Sequence, residues 1–208
     1  MIVMRFENST LEPSRTSLRI LDAATRLYRL MGHKKTSVAD IARESSMSPS
    51  NVYRFFSSKQ AINNAVAAKL FEEVIAIAVD ASRAPGTAEE RLIGTFAVIK
   101  QRCTDRFISE RKLHELLALS LRENWSISRS FTERIENILA EIILDGQAQG
   151  ALQRGDSVLF GRCLLAATDV FLDPRLISAI PHLRRPTLKQ MSDFAIGALR
   201  TDNIACAN

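Results

Sequence analysis

The chain has 208 residues, of which 46% are hydrophobic and 25% are charged, a composition typical of a globular protein with a sizeable core. Its three cysteines lie far apart in sequence, which argues against a disulfide framework or a cysteine zinc site and favours a reducing, cytoplasmic location. There is no apolar run of about 18 residues and no signal-peptide pattern near the N-terminus, so we expect neither a membrane span nor export.

Positive charge is concentrated near the N-terminus. The net charge is +5, and the first 60 residues contain ten Lys and Arg but only five Asp and Glu. The remaining 148 residues contain 18 residues of each sign. A basic segment beside a neutral one indicates a polyanion partner for that segment alone, with a solvated basic face as the alternative.

Two helices are predicted first. From Ser17 to Met31 apolar residues recur every three or four positions, which predicts a helix, and Gly32 follows as a candidate left-handed C-cap. Thr36 or Ser37 can cap a short second helix. Asp40 is placed to complete a capping box with Ser37.

A third and a fourth helix follow. Ser48 suits the N-cap and Pro49 the first position of a short third helix, which should end near Phe56. The chain then restarts at residues 57–59 into a long fourth helix over residues 58–82. The apolar residues are Val52, Phe55 and Phe56 in the third helix, and Ile62, Val66, Leu70 and Val74 in the fourth.

Five further amphipathic helices follow a break at residues 84–87, which we take as the domain boundary, although the long helix before it can belong to both sides. They are predicted near residues 88–107, 110–124, 128–149, 157–171 and 187–200. Asp156 should cap the fourth of these, and prolines interrupt the chain at Asp173–Pro174 and 181–186. The predicted fold is therefore all-α with about nine helices. Its parts are a flexible arm over residues 1–14, a helix-turn-helix domain over residues 15–60, and a helical bundle domain over residues 87–202, with a polar tail over residues 201–208.

Residues 37–56 fit a helix-turn-helix, in which a tight polar turn separates two short helices. The second of these is too short to be stable alone and needs support from its neighbours. Ser50, Asn51 and Arg54 carry hydrogen-bonding groups on its outer face, the pattern that a recognition helix needs to read base edges in the major groove. The residues assigned wholly to core packing are Val38, Ile41, Ala42 and Val52.

The same stretch resembles the DNA-binding segment of the TetR family of transcriptional regulators, over about residues 16–65. The matching residues, in order and spacing, are Thr36-Ser37-Val38-Ala39-Asp40-Ile41-Ala42, Met47-Ser48, Tyr53-Arg54-Phe55-Phe56 and Ser58-Lys59. One residue departs from the pattern, because the family commonly has glycine at the position of Ser46. A serine in a left-handed conformation there would cost about 1 kcal/mol.

The resemblance implies a sequence-specific regulator, a repressor more readily than an activator, that binds palindromic double-stranded DNA as a homodimer. The implied phosphate and backbone contacts are Tyr53, Lys59, Thr36 and Ser37. The implied groove-facing residues are Ser48, Ser50, Asn51 and Arg54, with Asn51 suited to adenine and Arg54 to guanine. Alternatives stay open: Tyr53 could be a core aromatic, Lys59 a solvated lysine, and Arg54 a partner of phosphate or of Glu44.

The resemblance also implies a small-molecule effector held between the C-terminal helices, and dimerisation through the last two helices. Candidate ligand-lining residues are Phe96, Phe107, Leu117, Trp125 and Phe171, although core packing is the commoner role of such residues. Candidate dimer residues are Leu164, Ala167, Met191, Ala195 and Leu199. Small residues such as Gly161 would permit close helix approach either within one chain or between two.

No catalytic set, metal site or cofactor site is predicted. His33, His114 and His182 are not at metal-ligand spacing, and the Glu110–His114 pair at i, i+4 is more commonly a hydrogen-bonded pair than a metal site. Two other functions stay open. A sequence-tolerant DNA-binding protein would show a steep salt dependence with little specificity. A helical small-molecule-binding or enzymatic protein with a vestigial DNA domain would bind ligand without any effect on DNA.

Overall fold

Nine α-helices make up the part of the chain that the computed structural model describes, residues 14–172 and 186–201. They are α1 (Arg15–Met31), α2 (Val38–Glu44), α3 (Pro49–Phe55), α4 (Lys59–Ser82), α5 (Ala88–Ser109), α6 (Arg111–Arg122), α7 (Ser126–Ala148), α8 (Ser157–Leu172) and α9 (Leu188–Gly197). The predicted all-α fold is confirmed. None of the described helices is long and apolar enough to cross a membrane.

Several sequence predictions fall outside the described residues. These are the N-terminal arm up to residue 13, the break at Asp173–Pro174, most of the 181–186 segment, His182, Cys206 and the tail from residue 202.

Local side-chain caps determine where the helices begin. Ser37 and Asp40 form the predicted capping box of α2, so Ser37 rather than Thr36 is its N-cap. The Ser48 hydroxyl accepts a hydrogen bond from the Asn51 amide and Pro49 is the first residue of α3, as predicted. Asp156 caps α8 by accepting the amides of the second and third helical residues. These three predicted helix starts are therefore confirmed, because each rests on a hydrogen bond between near neighbours.

The chain forms two compact units whose boundary lies between Val66 and Ala67, inside α4. The boundary predicted from the sequence was at residues 84–87, but that segment is a turn within the second unit. The reason is that Val74, Ile75 and Ala78, in the second half of α4, are buried in the core of the second unit.

The core of the first unit joins α1, α2, α3 and the start of α4. Its fully buried side chains include Ile20, Ala24, Tyr28, Ile41, Val52, Ile62 and Val66. The Tyr28 hydroxyl donates a hydrogen bond of 2.6 Å to Oδ1 of Asn63, which connects α1 to α4 inside this core. Burial raises the pKa of Tyr28, so its hydroxyl remains a protonated donor.

In the second unit α8 packs against α5, α7 and α9. Two predicted dimer residues, Leu164 and Leu199, are buried in this core and are therefore not available to a second chain. Gly161 explains how closely α7 and α8 approach, because a Cβ there would lie 2.9 Å from the carbonyl oxygen of Glu136 and 3.3 Å from the amide nitrogen of Ala140. Gly161 thus serves packing within one chain.

Replacement of Gly161 by alanine should destabilise the protein. Alanine favours a helix over glycine by about 0.5–1 kcal/mol, but overpacking against backbone costs about 1–3 kcal/mol. We expect a net loss of about 1–2 kcal/mol in the free energy of unfolding, measured with urea and circular dichroism. Gly94→Ala in α5 is the matched control, because a Cβ there meets nothing within 4 Å, and it should stabilise. Equal effects of the two variants would contradict the close approach.

Candidate nucleic-acid interface

The turn between α2 and α3 is closed by a double hydrogen bond. The Met47 amide donates to the Ala42 carbonyl at 2.8 Å and the Ser46 amide donates to the Arg43 carbonyl at 3.1 Å, which is the Schellman pattern of a helix C-terminus. Ser46 has φ 54°, so it adopts the left-handed conformation that this motif requires. Serine therefore occupies the position where the family commonly has glycine, and its backbone is strained there.

Two arginines of α1 hold the end of α2. Arg19 donates from both Nε, at 2.9 Å, and Nη2 to the carbonyl oxygen of Ser45. Arg26 forms an ion pair of 3.0 Å with Glu44. A cation at a helix C-terminus also interacts favourably with the helix dipole. Part of the N-terminal positive charge thus stabilises the turn rather than facing a partner.

The short helix α3 presents one polar face to solvent. Val52 is fully buried, and Ser50 and Arg54 lie about opposite it on the helix, both exposed. Asn51 is half-buried and Tyr53 is 50% exposed on the two flanks. Because Glu44 pairs with Arg26, it does not engage Arg54, which was one alternative for that arginine.

Two aromatic residues of this region differ from expectation. Tyr53 is exposed, so the core-aromatic alternative does not apply. Phe55 was expected on the apolar face together with Phe56, but it is exposed and only Phe56 is half-buried. The helix α3 ends at Phe55 and Phe56 already has extended backbone angles, so the helical spacing that predicted a shared face does not continue across these two residues.

The hydroxyl groups of Thr36 and Ser37 both have hydrogen-bond partners within the chain. Thr36 is buried, and its hydroxyl donates to the Gly32 carbonyl oxygen at 2.9 Å. The Ser37 hydroxyl donates to Asp40 at 2.6 Å and accepts the Asp40 amide. Thr36 therefore faces inward, whereas Ser37 is exposed at the start of α2, and its contact with DNA stays a prediction. Gly32 permits this arrangement through φ 84° and ψ 153°, an extended positive-φ conformation rather than the predicted left-handed C-cap.

Three lysines line an open cavity of about 480 Å³ beside the start of α2, which we call the lysine cleft. Lys34 and Lys35 are exposed, and Lys59 is half-buried with its Nζ 3.5 Å from the carbonyl oxygen of Lys34. Tyr53 lines the same cleft from α3. Lys34 and Lys35 entered the sequence-based prediction only as part of the overall charge, although their place directly before a predicted helix start was a usable signal.

One carboxylate lies near the lysine cleft. Hydrogen bonds from the Ser37 hydroxyl and amide, with smaller contributions from Arg43 and Lys59, hold the pKa of Asp40 below its usual value. Asp40 is therefore ionised at neutral pH and committed to its capping box. The cleft has more lysines than carboxylates, so it suits a phosphate group.

The predicted ligand-lining residues do not come together around a cavity in the described chain. Phe96 and Phe171 belong to the closed core of the second unit, and Leu117 is also buried. Phe107 is half-buried with its ring edge-to-face with His114, at a centroid distance of 5.2 Å. Trp125 is half-buried and donates to Glu123 at 3.0 Å. A second open cavity of about 300 Å³, between α6, α7 and α8, is lined by none of the five.

The remaining dimer candidates and the metal candidates are placed as follows. Ala167, Met191 and Ala195 are half-buried. The large apolar side chain with the greatest exposure in the described residues is Phe194 of α9, at 78%. Within the same residues, no group of three or more His, Cys, Asp and Glu side chains could hold a metal ion.

Together the fold and the polar face of α3 define a helix-turn-helix DNA-binding protein. The family model described as "Bacterial regulatory proteins, tetR family" matches residues 20–66, and "Tetracyclin repressor-like, C-terminal domain" matches residues 88–189. These two regions together span well over half of the chain. The chain belongs to the TetR family, and it is a DNA-binding transcriptional regulator. No curated protein matches the sequence.

Several solved structures share the fold of this chain. GusR of Salmonella enterica is 23% identical, covers 92% of this chain and 99% of its own, and has a TM-score of 0.60. SmeT of Stenotrophomonas maltophilia, described as the repressor of the multidrug efflux pump SmeDEF, is 17% identical with coverage of 90% and 91% and a TM-score of 0.59. A TetR-family regulator of Mesorhizobium loti is 20% identical with coverage of 90% and 96% and a TM-score of 0.60.

Ser46→Gly should stabilise the protein. A left-handed serine costs about 1–2 kcal/mol, while glycine adds about 0.4–1 kcal/mol of unfolded-state entropy. We expect a net gain of about 0.5–1 kcal/mol in urea unfolding. Asn124→Gly is the matched control, since Asn124 has φ 52° at the end of α6, and asparagine tolerates this conformation better than serine. A gain at position 124 as large as that at position 46 would contradict the assigned strain.

Proposed function

We propose that the protein is a homodimeric repressor that binds a palindromic operator and releases it when a small molecule binds the C-terminal unit. The observation that carries the DNA-binding part is the exposed polar face of α3, with Ser50 and Arg54 opposite the buried Val52. Repression is supported by the family description and by the repressor role stated for SmeT. A regulator of this kind acts in the cytoplasm.

Base contacts fall on the residues of α3. Arg54 is exposed and, in the described structure, its alternative partner Glu44 is bound to Arg26, so Arg54 can reach a guanine edge. Asn51 is half-buried and can reach an adenine after a change of rotamer. Ser48 and Ser50 contact the groove beside them, and Ser48 also keeps its role as the cap of α3.

Phosphate contacts fall on the lysine cleft and on Tyr53. Lys34, Lys35 and Lys59 surround a space open to solvent, and Tyr53 lines it with a hydroxyl that can donate to a phosphate oxygen. These contacts carry no sequence information, but they fix the register of α3 in the groove. Ser37 is exposed and lines the same cleft, so it can contact the backbone beside them, whereas the Thr36 hydroxyl is bound to Gly32.

Dimerisation through α8 and α9 would place two copies of α3 about 34–36 Å apart, in successive major grooves. The two helices pack against each other and expose apolar side chains, among them Val158, Leu159 and Phe194. A phenylalanine exposed to 78% is unfavourable in water and suits a contact with a second chain. Ala167, Met191 and Ala195 can take part at the edges of this surface.

Binding of the effector and binding of the operator would oppose each other. A ligand that favours a conformation in which the two α3 helices are wrongly spaced lowers operator affinity, and by reciprocity the operator lowers ligand affinity. The expected coupling is roughly 1–3 kcal/mol.

Sequence-specific DNA binding is tested by selection from a random DNA pool with the purified protein. Sequencing of the retained DNA should reveal a palindrome whose half-sites lie about one helical turn apart. Recovery of DNA without any shared sequence would favour the sequence-tolerant alternative.

Arg54→Ala and Lys59→Ala should have different effects on DNA binding. Removal of the Arg54 guanidinium should relax the preference at one base pair of each half-site by about 1–3 kcal/mol, because it is the group that reads the base. Removal of the Lys59 ammonium should weaken binding to all sequences. It should also reduce the slope of log affinity against log salt by roughly 1, because one phosphate is no longer neutralised. Fluorescence anisotropy with operator and scrambled DNA at several salt concentrations measures both. Identical behaviour of the two variants would contradict the division of roles.

Phe194→Glu should convert the dimer to a monomer. The carboxylate would be buried without a partner at the dimer contact, which strongly opposes association. Analytical ultracentrifugation measures the change. Ile108→Glu is the matched control, because Ile108 of α5 is 75% exposed and lies outside α8 and α9, and it should remain dimeric. A dimeric Phe194→Glu protein would place the interface elsewhere.

A further inference from the structure

A charged side chain lies inside the second unit. The guanidinium of Arg106, on α5, is only 1% exposed. Burial, followed by the nearby charge of Arg102, lowers its pKa below the usual arginine value. A buried cation is retained only where opposite charge compensates it, so the surroundings of Arg106 are informative.

The compensating charge comes from α4. Oε2 of Glu73 accepts a hydrogen bond of 2.8 Å from Arg106 Nη2 and another from Arg102 Nη2. Arg106 Nη2 also lies 3.4 Å from the carbonyl oxygen of Leu70, one turn earlier on α4. These three residues, Glu73, Arg102 and Arg106, are called the α4–α5 lock.

The hydrogen bonds of the lock are concentrated on one carboxylate oxygen. One carboxylate oxygen serves two guanidinium groups, so neither arginine forms the bidentate pair that its geometry favours. Nε of Arg106 is buried and donates no hydrogen bond within the described residues. The carboxylate of Glu110 forms a longer ion pair with this nitrogen, at 3.9 Å, which is beyond hydrogen-bond distance.

The neighbouring position on α4 shows a satisfied pair. Glu72 accepts hydrogen bonds from Arg134 through both of its carboxylate oxygens, one from each terminal nitrogen of the guanidinium. That pair is largely exposed and saturated. The two successive glutamates therefore differ in their pairing. Glu72 binds one arginine through both carboxylate oxygens. Glu73 is shared by two arginines, and among the described residues the buried Nε of Arg106 has no hydrogen-bond acceptor.

Two members of the lock are partly exposed to solvent. Glu73 and Arg102 have side chains 37% and 35% exposed, whereas Arg106 is 1% exposed. A solute anion can therefore contact Arg102 directly, where it competes with the Glu73 carboxylate for the same guanidinium group. A planar monoanionic carboxylate is the group that this position already holds, and it matches guanidinium donors.

We propose that the α4–α5 lock is the recognition point for a carboxylate effector, whose carboxylate replaces that of Glu73 on Arg102 and Arg106. This rests on the proposed effector-released repressor. Replacement would break the ionic connection between Glu73 of α4 and the two arginines of α5. Glu73 lies on α4, the helix that follows α3 after a three-residue link, so release of Glu73 would change the contacts of that helix.

Glu73→Gln in the full-length chain tests the proposal, with Glu72→Gln as the matched control. The probes are acetate, butyrate and hexanoate, with butyramide as the neutral isostere and chloride to hold ionic strength constant. Thermal unfolding and the fluorescence of the single tryptophan, Trp125, report binding without DNA. Removal of the internal competitor should lower the half-saturating carboxylate concentration about tenfold in Glu73→Gln. The half-saturating carboxylate concentration should be unchanged in Glu72→Gln, and butyramide should have no effect on either variant.

Arg102→Gln keeps the test informative if Glu73→Gln folds poorly. Arg102 is partly exposed, so its replacement should leave the fold intact and weaken carboxylate binding. The proposal is overturned if carboxylates stabilise no protein more than chloride does, or if Glu72→Gln and Glu73→Gln respond equally. Carboxylate binding that depends on Glu73 but leaves operator binding unchanged would support the site and contradict the proposed release of DNA.

Discussion

A seven-residue helix with one fully buried side chain cannot hold its own shape in water, and α3 is such a helix. Its position therefore depends on the turn that precedes it, where Ser46 adopts φ 54° and Arg19 of α1 binds the carbonyl oxygen of Ser45. If this turn opened, Val52 would lose its place in the core, and the polar face with Arg54 would lose its direction. The specificity of the regulator thus rests on a few hydrogen bonds beside a strained residue.

The same turn motif ends two other helices. Asn124 after α6 and Gly150 after α7 also have positive φ, and the next amide donates to a carbonyl five residues earlier in both cases. Serine, asparagine and glycine therefore form the same motif, and the energetic cost of the left-handed conformation falls in that order. Sequence reasoning recognises it readily at Gly150, but at Ser46 only the family pattern gave a signal, because serine has no preference for this conformation.

Helix boundaries and core faces were predictable because they depend on near neighbours: Ser37 with Asp40, Ser48 with Pro49, and apolar residues at steps of three and four. Periodicity marks a buried face, but it does not say what covers it. Leu164 and Leu199 were therefore assigned to a dimer, although they pack in their own core, and Phe194 was overlooked. Thr36 shows a related limit, since a hydroxyl at a helix start can face DNA or its own backbone, and here it bonds to Gly32.

The connection between Glu73 and Arg106 had no sequence signal, because the two residues lie 33 positions apart and each looks like an ordinary surface charge. Its importance comes from α4. Asn63, which accepts the buried hydrogen bond of Tyr28, and Glu73, which binds two arginines of α5, both lie on this helix, one in each compact unit. Local patterns in the sequence describe both residues as polar surface positions, because periodicity reports only which face of a helix is apolar. Their partners lie on other helices, so only the fold shows that each is part of a buried polar contact.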